Sequence, residues 1–403
     1  MVCAQAGIRL VVPPTTIFSE LRCACNLIQS PFGFTAIGHG LDVTVNANTF
    51  NLVAPAVGFG AVMCAAVWST IIQSRITNNQ IVGDGKTPDT HGVMLGIASA
   101  AMYGTRVTGN QIASITGNGI SVMAGAMVLD TIIAQNQMLG LGNGGIVMLT
   151  DANGTSAAVD LNIYENALTF VAQVPDKNAQ MIGIMLVSAF NVNVCDNAVE
   201  NLGMTSGLSA SRFGIIAVRG TAMRVTGNRL TNIGPPGPVA LSAGIAAVLI
   251  AGRLDIADNL VRRSTAPPPQ GDSSPFLALA ALTSGDASIR GNQLECFGDT
   301  ASALVAAGSS CIFSENQCLF ENPTPNAVPI VMLSANAVIA SANFVKGPRS
   351  SGGAPGLAMR IDSTGPHSVL GNIATGTVLV NAASLPPAPQ IPQAGQTLNV
   401  VPV

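Results

Sequence analysis

One motif recurs along the chain: an aliphatic residue, two variable residues, an asparagine, one further residue and a second apolar residue. It occurs twelve times, and the residue that opens it is apolar every time. The asparagines are Asn48, Asn79, Asn110, Asn136, Asn166, Asn197, Asn228, Asn259, Asn292, Asn316, Asn343 and Asn372. Their spacing is 31 residues at five of the eleven intervals and lies between 24 and 33 residues overall. A period of this length indicates a solenoid in which each repeat forms one coil.

A second apolar strand precedes the asparagine strand in many repeats and often opens with glycine. It begins at Gly92, Gly119, Gly145, Gly183, Gly214 and Gly244. Together with the short apolar stretch after each asparagine, this predicts three strands per coil, and three strands of four or five residues plus turns use roughly 25–30 residues. The predicted fold is therefore all-β, a right-handed parallel β-helix of about 12 coils. We expect the asparagines to occupy a left-handed bend and to hydrogen-bond from coil to coil.

The composition fits thin stacked coils. Charged residues make up 9% of the chain, which is too few for the solvated faces of a helical bundle, and glycine is abundant at 43 residues. The net charge of −3, without any run of like charges, argues against a nucleic-acid partner. The longest apolar runs are too short to cross a bilayer. The eight cysteines show neither paired nor zinc-ligand spacing, so we expect them to be small core residues.

The asparagine-bearing repeat resembles that of the pectin-lyase-like superfamily of parallel β-helix proteins. The resemblance covers residues 41–377 and leaves residues 1–40 as a cap or incomplete first coils and residues 378–403 as a proline-rich tail. It implies a superfamily that includes polysaccharide lyases and hydrolases, phage tailspikes and surface proteins without catalysis, and it favours an extracellular or cell-surface location. The motif specifies the fold far better than the function.

An enzyme of that superfamily is expected to use acidic residues with a basic partner on one face. Glu165 and Asp196 each precede a repeat asparagine in consecutive coils, so they should stack about 5 Å apart. Arg224 lies one coil further on, and these three residues are the catalytic candidates if the chain is an enzyme. A Ca²⁺ cofactor is expected only under that lyase alternative, because a cluster of carboxylates favours Ca²⁺ binding. Solvated turn carboxylates explain the same pattern without any site.

Asp84, Asp89 and His91 share one loop and are the candidate metal ligands, although glycine, proline and aspartate are also ordinary turn formers. His39, between two glycines, reads as a turn histidine. A modest basic zone contains Arg219, Arg253, Arg262, Arg263 and Arg290. No cofactor is expected from these patterns.

Insertions fall after the third strand of a coil and should form one ridge on the solenoid. They are residues 83–90, 173–178, 234–238, 266–275 and 323–329. Sugar-binding faces usually offer tryptophan or tyrosine platforms. Trp68, Tyr103 and Tyr164 fall in different repeats, which argues against an extended carbohydrate groove.

The sequence favours a non-catalytic structural or interaction module over an enzyme. Low charge and weak end caps motivate that hypothesis, in which the module packs into a larger assembly by self-association or against other subunits. One alternative is a polysaccharide lyase or hydrolase that uses Glu165, Asp196 and Arg224. The other is a tailspike-like adhesin that binds a polysaccharide without cleaving it.

Overall fold

The computed structural model describes residues 7–13, 15–55, 57–64, 70–96, 100–151, 154–169, 181–203, 211–234, 242–263, 276–297, 303–321, 329–346 and 356–384. The chain divides into two compact units, Met1–Gly203 and Met204–Val403. Each unit is described by itself. The described residues contain strands and turns and no α-helix, and none of their segments is a helix of the length and hydropathy that crossing a membrane requires.

The first unit contains 23 described strands. They are β1 (Ile8–Val11), β2 (Ile17–Ala24), β3 (Leu27–Ser30), β4 (Phe34–Ile37), β5 (His39–Asn46), β6 (Thr49–Leu52), β7 (Gly60–Cys64), β8 (Thr70–Thr77), β9 (Gln80–Val82), β10 (His91–Leu95), β11 (Ala101–Tyr103), β12 (Arg106–Thr108), β13 (Gln111–Ala113), β14 (Asn118–Val122), β15 (Met127–Ala134), β16 (Gln137–Leu139), β17 (Gly144–Met148), β18 (Thr150–Asp151), β19 (Gly154–Thr155), β20 (Ala157–Tyr164), β21 (Ala167–Thr169), β22 (Met181–Cys195) and β23 (Ala198–Leu202).

Neighbouring coils of the first unit pair with each other in parallel. Strands β4, β5 and β6 pair with β7, β8 and β9 in turn, and the same three-strand pattern repeats along the unit. Strands β18 and β19 form a small antiparallel hairpin inserted into one coil. This pairing confirms the predicted parallel β-helix with three strands per coil.

The second unit contains 19 described strands. They are β24 (Arg212–Thr226), β25 (Arg229–Ile233), β26 (Ser242–Ile250), β27 (Arg253–Ala257), β28 (Leu260–Arg262), β29 (Phe276–Thr283), β30 (Asp286–Arg290), β31 (Gln293–Phe297), β32 (Ala303–Ala307), β33 (Ser310–Ser314), β34 (Gln317–Glu321), β35 (Val331–Ala335), β36 (Ala337–Ser341), β37 (Phe344–Lys346), β38 (Leu357–Ser363), β39 (His367–Leu370), β40 (Ile373–Ala374), β41 (Thr377–Val380) and β42 (Ala383–Ser384). They too pair in parallel from coil to coil, except that β42 folds back antiparallel on β41.

The asparagines form the predicted hydrogen-bonded ladder in each unit. At Asn110, the backbone N and Nδ2 both donate to Oδ1 of Asn136, at 3.1 and 2.9 Å, and Nδ2 also donates to the carbonyl of Ile76 at 2.8 Å. Asn136 repeats this pattern toward Asn166 and Val107. The amide thereby satisfies all of its polar atoms in a buried position, as buried polar groups must.

The ladder is longer at its start than the sequence motif predicts. In the first unit it begins at Asn26, whose Nδ2 donates to Oδ1 of Asn48 at 3.0 Å, and runs to Asn197. In the second unit it runs from Asn228 to Asn372. The described residues thus hold seven ladder asparagines in one unit and six in the other, close to the twelve coils predicted.

The expectation that the asparagine itself is left-handed is wrong. The residue directly before it takes the positive φ, at every ladder position of both units. Those residues are Cys25, Ala47, Asn78, Gly109, Gln135, Glu165, Asp196, Gly227, Asp258, Gly291, Glu315, Ala342 and Gly371. The bend turns the chain so that the next side chain points inward, where it can reach the neighbouring coils.

The core is lined by the aliphatic residues that open the motif. Val45, Ile76 and Val107 are fully buried. Glycine lies at the second or third position of several first strands, rather than opening them, because space is short there: a Cβ at Gly145 would lie 1.9 Å from Cδ2 of Leu168.

Cys23, Cys311 and Cys318 are buried, as predicted for core residues, whereas Cys25 is exposed at a bend. Burial raises the pKa of Cys311 to about 12. The five cysteines whose side chains the structure describes are free thiols.

Several expected segments lie outside the described residues. They include residues 1–6, 385–403, 173–178, 235–240, 266–275 and 322–328. The single ridge of insertions therefore stays a prediction, and the boundaries at residues 40 and 378 stay predictions too.

Candidate functional site

An open depression of about 340 Å³ lies on the outer face of the first unit, on the sheet that follows the asparagine ladder. Four short parallel strands, β9, β13, β16 and β21, form its floor. Its lining residues are Gln80, Ile81, Val82, Gln111, Ile112, Ala113, Gln137, Met138, Leu139, Ala167 and Thr169. We call it the glutamine depression.

The alternation of each strand positions these side chains. Because successive side chains in a strand point to opposite faces, Ile81, Ile112 and Met138 turn into the core, where they are buried. Their neighbours Gln80 and Gln111 point out and are exposed. Each glutamine directly follows a ladder asparagine, so the ladder fixes its position.

The three glutamines stand in register on consecutive coils. Gln111 is the register partner of both Gln80 and Gln137. Within the part of the chain that the structure describes, none of their side-chain amides takes part in a hydrogen bond. In the second unit Gln293 occupies the corresponding position, and its Nε2 donates to Oε1 of Glu295 at 2.6 Å. The three amides of the depression are thus available to a ligand in a way that Gln293 is not.

No charged or aromatic side chain is among the residues that line the depression. Leu139 is 50% exposed and supplies apolar surface beside the amides. Glutamine offers two donors and one acceptor oxygen. The lining therefore suits an uncharged ligand with many hydroxyl groups and some apolar surface.

The first two catalytic candidates lie close to this sheet. Glu165 and Asp196 occupy the same bend in adjacent coils, and the backbone N of Glu165 donates to the carbonyl of Cys195 at 3.2 Å. The Glu165 bend leads directly into Ala167, a lining residue. The carboxylate of Glu165 accepts a hydrogen bond of 2.8 Å from Nε2 of Gln135.

Arg224, the third candidate, lies in the second unit, where it is exposed and is the register partner of Asp255. The catalytic set of Glu165, Asp196 and Arg224 stays a prediction.

The metal-ligand candidates have partners within their loop. Asp84 accepts hydrogen bonds from the backbone N of Lys86 and of Thr87, both at 2.9 Å, and from Oγ1 of Thr87 at 2.6 Å. Burial by itself would raise the pKa of Asp84, but these hydrogen bonds outweigh it and hold the pKa below its usual range.

His91 joins the same loop to the next coil. Its Nε2 lies 3.2 Å from Oδ1 of Asp89, and its Nδ1 accepts from the backbone N of Asn118 at 3.2 Å. Nδ1 also lies 3.2 Å from Oγ of Ser121. Among the described residues no three His, Cys, Asp or Glu side chains form a group able to hold a metal, so the Asp84, Asp89 and His91 site stays a prediction.

His39 begins strand β5 and binds the neighbouring coil through its side chain. Its Nδ1 accepts a hydrogen bond from the backbone N of Thr70 at 3.2 Å. This contact explains the residue without a catalytic role.

The basic zone of the second unit is largely engaged inside that unit. Arg262 lies 2.9 Å from Glu295, and Arg290 lies 3.4 Å from Asp255. The guanidinium of Arg263 stacks over the ring of Phe276 at 5.4 Å. Burial, and secondly the charge of Arg263, lower the pKa of the buried Arg212. These pairings remove much of the zone's capacity to attract an acidic ligand.

The fold and the outer face described above define a parallel β-helix repeat protein with one candidate binding site. No protein-family model matches the chain, and no curated protein matches it. Among solved structures, it is similar to the Dettilon tailspike protein, at 13% identity and a TM-score of 0.41, over 89% of this chain and 61% of that one. The chain therefore spans about three fifths of the length of that protein.

The chain is also similar to two further solved structures, at comparably low identities and TM-scores. One is a double mutant of the tailspike protein of Escherichia coli bacteriophage HK620 in complex with a pentasaccharide, at 11% identity and a TM-score of 0.40. That match covers 93% of this chain and 72% of the other. The second is the A-module of the Azotobacter vinelandii mannuronan C-5 epimerase AlgE4, at 10% identity, a TM-score of 0.33 and 88% of both chains.

Sequence reasoning missed the glutamine depression. A signal was present, because glutamine follows the ladder asparagine directly at positions 80, 111, 137, 293 and 317. Gln80, Gln111 and Gln137 fall on three consecutive coils, and their strands are three of the four that form the floor of the depression.

Proposed function

We propose that the chain binds an uncharged polysaccharide at the glutamine depression without cleaving it. The observation that carries the proposal is the row of Gln80, Gln111 and Gln137, three in-register amides without a described partner. A polymer laid along the row meets the same donors and acceptor on each coil. Hydroxyl groups satisfy both kinds of amide atom.

The rest of the lining supports the same class of ligand. Sugar rings present apolar C–H faces as well as hydroxyls, and Val82, Ala113 and Leu139 supply apolar contact beside the amides. The absence of charge in the lining favours a neutral sugar over an acidic one. A volume of about 340 Å³ is at the low end for ligand sites, so we expect each contact to hold only a short segment of a polymer.

Hydrolysis is the second candidate function. It is favoured by one observation, that Glu165 and Asp196 occupy the same bend of adjacent coils beside the depression. Glycoside hydrolases use two carboxylates, and retaining enzymes hold them about 5–5.5 Å apart. The hypothesis of a module that packs into a larger assembly is compatible with either function. A polysaccharide partner also favours the extracellular or cell-surface location.

The binding proposal is tested with a double variant, Gln111→Ala with Gln137→Ala, and with Gln293→Ala as the matched control in the second unit. A panel of neutral and acidic polysaccharides identifies a ligand, and calorimetry with its oligosaccharides measures the affinity. We expect the double variant to bind at least about 5-fold more weakly, since each lost neutral hydrogen bond contributes about 0.5–1.5 kcal/mol. Gln293→Ala should stay within about twofold of the wild type, because its amide is already used by Glu295.

Two outcomes would contradict the proposal: failure of the wild type to bind any neutral polysaccharide, or a double variant that binds as tightly as the wild type. Reducing-end release by the bound wild type, lost in Glu165→Gln, would replace binding without turnover by hydrolysis.

A further inference from the structure

A row of apolar side chains runs along the outer surface of the first unit, on a different strand from the glutamine depression. Six consecutive coils each contribute one residue at the same register position. The members of this apolar row are Leu41, Ile72, Tyr103, Leu129, Val159 and Phe190.

The row faces outward. Leu41, Ile72, Tyr103 and Phe190 are between 38% and 43% exposed. With coils about 4.8 Å apart, six members extend over about 24 Å. Isolated exposed apolar residues are common on proteins, but a contiguous line of them marks an interaction surface.

Mostly smaller side chains lie beside four of the six members of the apolar row, two residues earlier on the strand. Thr70, Ala101, Met127 and Ala157 stand in register there, and only Met127 is long. Side chains two apart in a strand share a face. The surface is therefore a raised apolar row next to a lower row. Two such surfaces fit together when the strands of the two copies run in opposite directions.

The other flank of the apolar row is polar and follows a second left-handed bend. Its residues are Asp42, Gln73, Asp130, Asp160 and Asn191, all with positive φ. Asp42 pairs with Arg75 at 2.6 Å, and Asp160 accepts a hydrogen bond from Asn191. This flank limits the apolar surface to two rows.

We propose that the apolar row and the smaller row beside it form the contact surface for a second copy of this chain, related to the first by a twofold axis. In such an arrangement the apolar row of each copy fits the smaller row of the other copy. The polar flanks of the two copies then lie on opposite sides of the contact. A second copy has the same coil spacing, so all six members find equivalent partners. A peptide strand would find no free sheet edge along β5, β8, β11, β15 and β20, because each of these strands is already paired with the coils on either side.

The composition supports the same occupant. Only 9% of the residues are charged and the mean hydropathy is +0.47, values that leave little polar surface to keep an apolar line in water. The two rows supply ten residues per copy, six in the apolar row and four beside it, against about 20–30 in a standard interface. We therefore expect a dimer that dissociates on dilution.

The test is sedimentation of the full chain across a range of concentrations. The row variant carries Tyr103→Asp and Leu129→Asp, and the control is Tyr164→Asp, which changes the other tyrosine of the chain outside the row. The wild type and the control should shift from monomer to dimer as concentration rises. The row variant should dimerise at least 10-fold more weakly. Unchanged circular dichroism and melting temperature establish that the variants are folded.

A wild type that stays monomeric at every concentration would overturn the proposal, and so would a row variant that dimerises as tightly as the wild type. Polysaccharide binding is measured on the same samples. The row variant should keep that binding, and Gln111→Ala with Gln137→Ala should keep the dimer, so the two proposals fail separately.

Discussion

At the scale of single residues, the ladder asparagine joins neighbouring coils through its side chain. Asn136 accepts two hydrogen bonds from Asn110 and donates to Asn166 and to the carbonyl of Val107. It has no water to replace these partners, because it is fully buried. Its loss would leave polar groups of three neighbouring residues unsatisfied.

We therefore predict that Asn136→Ala lowers the free energy of unfolding by about 3–5 kcal/mol, since each buried unsatisfied group costs about 1–3 kcal/mol. The control is Asn162→Ala, which removes the half-buried hydrogen bond from Nδ2 of Asn193 to Oδ1 of Asn162 and should cost about 1 kcal/mol. Urea denaturation measures both. Equal losses in the two variants would show that the ladder contributes no more than an ordinary surface pair.

The sequence predicted the ladder because asparagine and its apolar anchor are visible as a spacing. It did not predict the left-handed residue, because that position accepts chemically unrelated side chains such as Ala47, Gln135 and Gly109. What they share is a backbone angle, and the neighbouring asparagine enforces that angle. The same reasoning explains why Asn26 was missed, since its coil has Cys23 as the anchor.

At the scale of the elements, backbone strain accumulates at each bend that holds a residue other than glycine before the asparagine. A non-glycine residue pays roughly 1–2 kcal/mol for the left-handed conformation, and Ala47 and Ala342 gain no side-chain hydrogen bond in return. Aspartate and glutamine at the same bend extend polar side chains into solvent. The bends therefore differ in cost although their geometry is the same.

We predict that Ala342→Gly, at φ +54°, raises the free energy of unfolding by about 0.5–1 kcal/mol, because glycine enters this region without a Cβ penalty. Ala340→Gly is the control two residues earlier, at a fully buried strand position. It should lower stability, since it removes a buried methyl group and adds chain entropy. Thermal denaturation compares the two, and a stabilised Ala340→Gly or a destabilised Ala342→Gly would refute the assignment of strain to the bend.

Strand register also decides which residues of the candidate surfaces can be predicted from the sequence. Tyr103 and Tyr164 are scattered in the sequence, and only strand pairing shows that Tyr103 belongs to a row while Tyr164 lies elsewhere. Coil lengths vary by several residues, so equal spacing in sequence does not reveal which outward side chains meet. The glutamine row is the exception, because the asparagine beside each glutamine marks its register.

At the scale of the whole molecule, a solenoid gains stability from stacking between neighbouring coils. In the first unit, β1, β2 and β3 have described strand partners on one side only. Side chains of that coil that alternate toward the core, including Leu10, Phe18 and Leu21, remain only half-buried. Interior strands such as β10 and β14 are buried along their whole length and paired on both sides.

This asymmetry predicts a gradient of hydrogen exchange within the first unit. Backbone amides of β2 that donate to β5 should exchange at least about 10-fold faster than those of β10 and β14, because opening the first coil breaks one set of coil contacts and opening an interior coil breaks two. Exchange measured by mass spectrometry at low protein concentration resolves these segments without the dimer. Uniform protection from β2 to β14 would mean that the unit opens only as a whole. A gradient would instead show that the stacking energy is local to neighbouring coils. Outward-facing residues can then differ from coil to coil while the backbone fold stays the same.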